Sequence, residues 1–144
     1  MEIDLSDVKN IKQREYYLEK ASEMSKKSDC KHHKHGAVIV NRKNGEIIST
    51  GYNHYTEYMM HSFTCHAEMD ALSKIKKLPK RIFSELDLYV VRVGKASKDF
   101  PLKYSKPCIN CTKAIIKYGI KKVYFSTDDN YLISNFNKNH VFSI

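Results

Sequence analysis

Residues 86–126 read LDLYVVRVGKASKDFPLKYSKPCINCTKAIIKYGIKKVYFS, and this stretch decides the fold. Leu86–Val93 (LDLYVVRV) is rich in β-branched and aromatic residues and has the length of a strand. Residues 94–106 form a Lys-rich loop. Cys108–Tyr118 suits a helix, with Pro107 at its entry and Gly119 at its C-terminal cap. Ile120–Ser126 (IKKVYFS) is the next strand. A strand, a crossover helix and a second strand imply a parallel pair with the helix packed on the sheet.

The N-terminal side extends the pattern. A first helix is predicted over about 6–28, where Val8, Ile11, Leu18, Ala21 and Met24 follow a three-to-four spacing. The loop Cys30–His35 (CKHHKH) is basic and His-rich. Ala37–Asn41 (AVIVN) and Glu46–Asn53 (EIISTGYN) flank the turn signal Lys43-Asn44-Gly45, so they form an antiparallel hairpin. A polar, Tyr-rich loop at 54–64 leads to a second helix over 66–77, which Pro79 ends. The last 18 residues add a strand or a short hairpin. The order predicts an α/β fold, a mixed sheet between helix layers.

Composition sets the outer limits. The chain has 144 residues, 42% hydrophobic and 28% charged, which suits one domain with a substantial core. No apolar stretch approaches the ~20 residues of a membrane span. The start MEIDLSD shows no export signal, so a cytoplasmic location is expected. In that setting the four Cys, at 30, 65, 108 and 111, point to metal or catalytic chemistry rather than disulfides. The net charge is +9, from 25 Lys and Arg against 16 Asp and Glu, which predicts attraction to phosphates or a plain solvated surface.

The chemistry concentrates in His66-Ala67-Glu68 and Pro107-Cys108-Ile109-Asn110-Cys111. Cys108 and Cys111, at i and i+3, share one helix face near a helix start, where thiolate is favoured. Two thiolates bind zinc at ~2.3 Å, and His66 completes a three-ligand set with one position left for water. Such an open set belongs to catalytic zinc, and no second CxxC exists to close a structural site. Glu68 is placed to take a proton from water and deliver it to a leaving amine.

H-x-E…P-C-x-x-C is the signature of zinc nucleobase deaminases. The chain resembles the cytidine/deoxycytidylate deaminase superfamily from about Gly36 to Asp128, through GAVIV, STGYN, CHAEMDAL, PCINC and AIIKYGIKKVYFS, in family order. The resemblance implies a three-layer α/β/α fold with a mixed central sheet of about five strands, in one domain spanning 1–144. It implies one zinc per chain held by His66, Cys108 and Cys111, and Glu68 as the proton shuttle. Asn53 would hydrogen-bond the substrate, and backbone N–H groups near Ala67 and Cys108 would hold the developing oxyanion. It also implies a homo-oligomer.

CHAEMDAL and KAIIKYGIKKVYFS look most like deoxycytidylate deaminases. Those enzymes usually carry a long insertion, with further metal ligands and effector contacts, between the Asn and the His. Here 12 residues stand there, so neither an extra zinc nor nucleotide allostery is expected. The leading expectation is deamination of cytosine in a small nucleotide such as dCMP or CMP. One alternative is a deaminase acting on cytosine or adenine within single-stranded DNA or RNA. It rests on the charge and on Lys95, Lys98, Lys103 and Lys106 interleaved with Phe100 and Tyr104. Another is a non-catalytic, zinc-stabilised nucleic-acid-binding module. His32, His33 and His35 read as a surface loop, a substrate contact or, least of all, a metal site. Tyr52, Tyr55 and Tyr58 flank the site, and Cys65 is expected to be a buried free thiol.

Overall fold

The computed structural model describes residues 5–30, 33–55, 64–94, 102–127 and 131–135. The hairpin forms as expected: β1 (Lys34–Asn41) pairs antiparallel with β2 (Ile47–Tyr52), with a bulge at Ile39/Val40. Its turn uses Gly45 at φ 76°, a conformation that favours glycine. The side chains of Asn41 and Asn44 accept from the N–H groups of Lys43 and Glu46.

β5 (Leu86–Val93) lies antiparallel to the other side of β1 and parallel to β7 (Lys122–Ser126). The C-terminal region supplies β8 (Tyr131–Asn135), antiparallel to β7. The sheet order is β2-β1-β5-β7-β8, a mixed sheet, and the two-residue β6 (Leu102–Lys103) pairs with the end of β5. A second, two-stranded ladder joins β3 (His54–Tyr55) to β4 (Thr64–Cys65) at the ends of a segment expected to be loop.

Side chains that alternate along β1, β5 and β7 build a core on each face. Ala37, Ile39, Leu88, Val90, Val123 and Phe125 pack with Leu72 and Ile115, from α2 (Ala67–Ser73) and α3 (Ile109–Tyr118). Val38, Val40, Tyr89, Val91 and Tyr124 pack with Tyr17, Leu18 and Ala21 from α1 (Leu5–Ser25). The expected three layers are therefore present. Two glycines set the helix-to-sheet distance. A Cβ at Gly36 would lie 1.8 Å from the carbonyl oxygen of Ala21 in α1, and one at Gly51 would lie 2.4 Å from that of Ala67 in α2.

Some element ends differ from expectation. α1 stops at Ser25 rather than 28, because the N–H groups of Lys27 and Ser28 bond to Met24 and Ser25, three residues back. Ile11, expected on the buried face, is 41% exposed, whereas Tyr17, which the spacing does not single out, is buried and donates its hydroxyl to the Gly45 carbonyl at 2.6 Å. α2 stops at Ser73 rather than 77, since Ile75 bonds back to Leu72 in a tighter turn that buries its side chain. A 3-10 helix, Lys80–Glu85, follows and brings Phe83 into the core. No helix among the described residues is long and apolar enough to cross a membrane.

Candidate active site

α2 and α3 point their first residues at each other across the ends of the sheet. His66 precedes α2 in an extended conformation (φ −72°, ψ 151°), so its ring leaves the helix and reaches α3. Cys108 caps α3, and its Sγ accepts from the Cys111 N–H at 3.4 Å. The pair thus sits one turn apart, as the i, i+3 spacing requires.

The three expected ligands converge. His66 Nδ1 lies 3.2 Å from Cys111 Sγ and 3.7 Å from Cys108 Sγ, and all three donor atoms lie within 4.8 Å of one another. Zinc with tetrahedral bonds of ~2.0–2.1 Å to nitrogen and ~2.3 Å to sulfur would separate these atoms by about 3.6 Å. All four cysteines are free, so the thiols remain available. Burial, and then the charge of Glu68 and contact with Cys108, push the Cys111 thiol far above its ordinary range. A divalent cation would offset that cost of ionisation. The donor set therefore fits zinc.

Glu68 lies in the first turn of α2, 4% exposed, beside Cys111. Burial raises its carboxyl above the usual range, against the opposing pull of its own backbone N–H, His66 and Cys111. A proton carrier close to neutral pH needs a carboxyl displaced in this direction.

These groups open onto a cleft of about 270 Å³ that Asn53, Ala67 and Glu68 line together with His66 and Cys108. Asn53 is buried, and its amide ties down the entry to β1. Its Oδ1 accepts from the His35 N–H at 2.8 Å and its Nδ2 donates to the His33 carbonyl at 2.5 Å. His33 and His35 both line the cleft. Burial, with Arg92 and His66 nearby, lowers the His35 imidazole to about 4, so it is neutral near pH 7. An Arg92 guanidinium nitrogen donates to His33 Nδ1 at 2.6 Å, while the buried Arg92 Nε has no hydrogen-bond partner among the described residues.

Other expectations fare differently. Lys106 reaches the cleft, but Tyr104 is 52% exposed and packs edge-on against Phe125. Tyr52 turns to His54 rather than into the cleft. Cys65 is half-buried rather than buried, and falls in a separate cluster with His54 and Asp70. His32, Tyr58, Lys95, Lys98 and Phe100 lie outside the described residues, as does the side chain of Lys103.

Ser105 carried no sequence signal. Its buried hydroxyl donates to the Val90 carbonyl at 2.9 Å and accepts from both the N–H and the hydroxyl of Ser126, each at 2.9 Å. Those bonds fasten the approach to Pro107 and Cys108 onto β5 and the end of β7. Thr64, at the edge of β4, is a second cleft residue without a local signal.

Residues 11–127 match the model of the cytidine and deoxycytidylate deaminase zinc-binding region. The apo structure of dCMP deaminase from the cyanophage S-TIM5 is 31% identical, superimposes with a TM-score of 0.61, and shares 79% of this chain and 82% of its own. The same enzyme has been solved in complex with dCMP and dUMP. The cytosine deaminase of Candida albicans is 29% identical over 82 residues, 57% of this chain and 46% of that protein. The tRNA-specific adenosine deaminase of Aquifex aeolicus is 35% identical over 95 residues, 65% of this chain and 52% of that protein. The chain thus spans about half the length of these two curated relatives.

Proposed function

Because the chain belongs to the cytidine and deoxycytidylate deaminase family, whose members hydrolyse C–N bonds, we propose that it deaminates cytosine in a small nucleotide, dCMP or CMP, releasing ammonia. The observation that carries this reading is the convergence of His66, Cys108 and Cys111 beside buried Glu68 in one cleft. We read 1–144 as one zinc-dependent deaminase domain, with one zinc on those three residues.

Zinc, when bound, would supply a Lewis acid that makes hydroxide available near pH 7. Glu68 then carries the protons: its carboxylate takes one from the attacking water and delivers it to the ring nitrogen, then takes the second from the added hydroxyl and delivers it to the departing amine. The N–H groups of Ala67 and Cys108 receive the oxygen that gains charge. Asn53 spends one donor and one acceptor on β1, which leaves its second N–H and second lone pair for the substrate.

A phosphate-bearing substrate suits the cations at the mouth, Lys106 together with Arg92 behind His33. The similarity to a dCMP deaminase over about four-fifths of both chains supports a nucleotide. A base within a polymer is the second reading, favoured by the net charge of +9 and the likeness to a tRNA-specific deaminase.

Zinc-loaded protein, beside Glu68→Ala, is incubated with dCMP, CMP, cytidine, cytosine, adenosine, tRNA and single-stranded DNA. Mass spectrometry follows the ~1 Da gain as oxygen replaces the amine. The expected result is conversion of dCMP or CMP, with a loss of ~10²–10⁴-fold in the variant and zinc retained. Conversion only within a polymer would refute the nucleotide reading.

A further inference from the structure

We propose that His54, Cys65 and Asp70 form a second, independent site for a zinc-like divalent cation, which clips the β3–β4 ladder to α2. The three donor atoms lie within 4.8 Å of one another, and none belongs to the His66, Cys108 and Cys111 set. His54 and Cys65 are direct cross-strand partners, so their side chains leave the same face of the ladder. Asp70 reaches them from α2.

Two of the three donors are already oriented. The Nδ1 of His54 lies 3.2 Å from the Tyr55 carbonyl, which can only accept, so Nδ1 carries the proton and Nε2 presents a lone pair. Metal-binding histidines are held in this way by a bond from their other nitrogen. Asp70 Oδ2 accepts from the Tyr52 N–H at 3.1 Å, which leaves Oδ1 facing His54. The gap between His54 Nε2 and Asp70 Oδ1 is 3.5 Å. That is long for a hydrogen bond, whereas ligands of one tetrahedral zinc stand about 3.3–3.5 Å apart. Asp70 is 15% exposed and His54 is 34% exposed, so the site is sheltered yet reachable.

One imidazole, one sulfur and one carboxylate select a borderline cation such as zinc over calcium or magnesium. Cys65 binds as thiolate, its proton passing to solvent. Lys74, 3.6 Å from Asp70 Oδ2, places a positive charge beside the site and makes it weaker than the first. The short 54–65 segment argued for a single zinc. Yet its two end residues, His54 in β3 and Cys65 in β4, are themselves two of these ligands, and Asp70 follows in α2.

The test uses the full chain, stripped of metal under reducing conditions and titrated with Zn²⁺ and with Co²⁺ alone. Elemental analysis counts equivalents, and the cobalt spectrum reports thiolate ligation. The expected result is two equivalents for the wild type. Asp70→Asn and His54→Gln should weaken the second by more than about tenfold and keep the cobalt spectrum of the two-thiolate site. Cys111→Ser should lose the tighter equivalent and keep the weaker, so failure of one site is distinguishable from failure of the other. A wild type that saturates at one equivalent would overturn the proposal. So would a second equivalent that survives both Asp70→Asn and His54→Gln.

Discussion

Replacing Gly51 with alanine tests how the fold holds the site. The added methyl would stand 2.4 Å from the Ala67 carbonyl oxygen, 2.6 Å from the Ala71 nitrogen and 3.1 Å from the Ala71 Cα. Ordinary contact begins near 3.4 Å, so α2 must retreat from β2 by about 1 Å. All three atoms are main chain, and no rotamer relieves the clash. Overpacking of this kind costs about 2–3 kcal/mol, or a fall in Tm of about 6–12 °C at this size. The effect on chemistry should be larger, because α2 carries Glu68 and follows directly from His66. A shift of about 1 Å at reacting groups costs roughly 100-fold in turnover. The assay pairs thermal unfolding with zinc affinity, measured by competition with a chromophoric chelator, and with ammonia release. Ala71→Gly should not rescue the variant, because the clashing atoms remain. Gly45→Ala is the control: its φ of 76° makes it cost about 1 kcal/mol, with the site untouched. A Gly51→Ala protein with wild-type Tm and zinc affinity would refute the reasoning.

Three further outcomes are expected. Arg42→Ala strands Asp87, which is 6% exposed and bonded to Arg42 at 2.9 Å; with the guanidinium half-exposed, the loss should be about 1–3 kcal/mol at pH 7. Burial holds the Asp87 carboxyl above its usual range despite Arg42, so its ionised form burdens the fold as pH rises through that raised value. The Arg42→Ala deficit should therefore shrink as pH falls and Asp87 protonates, which a series of urea melts would read. Ser105→Ala should cost about 1–3 kcal/mol by removing the buried hydroxyl that accepts from the Ser126 N–H and hydroxyl, and Ser105→Ala with Ser126→Ala should cost less than the sum of the two. Additive melts would disprove that coupling. Asn53→Ala frees the β1 entry from both of its side-chain bonds, so amide exchange should quicken at His35 while Val38 stays protected.

Much of this protein is legible in its amino-acid order. Strand, helix and strand across 86–126 impose a parallel β5–β7 pair, because a crossover helix leaves the chain no shorter route. The i, i+3 spacing of Cys108 and Cys111 places both sulfurs on one helix face before any tertiary contact forms. Local hydrogen bonding already blurs that reading at the element ends. α1 and α2 stop early, where bonds three residues back replace those four back, a choice made by which side chain must be buried next.

The rest depended on residues far apart in the chain. That His66 meets two cysteines more than 40 positions away follows from α2 and α3 resting on the same face of one sheet. Gly36 and Gly51 look like ordinary strand residues until α1 and α2 approach within contact of their Cα atoms. Ser105 is one serine in a Lys-rich stretch until Ser126 and Val90 enclose it. Cys65 adjoins His66 yet serves a different cluster, because pairing in the β3–β4 ladder sets it opposite His54. Sequence spacing orders groups along one element, and only the packing of elements brings together groups from different ones.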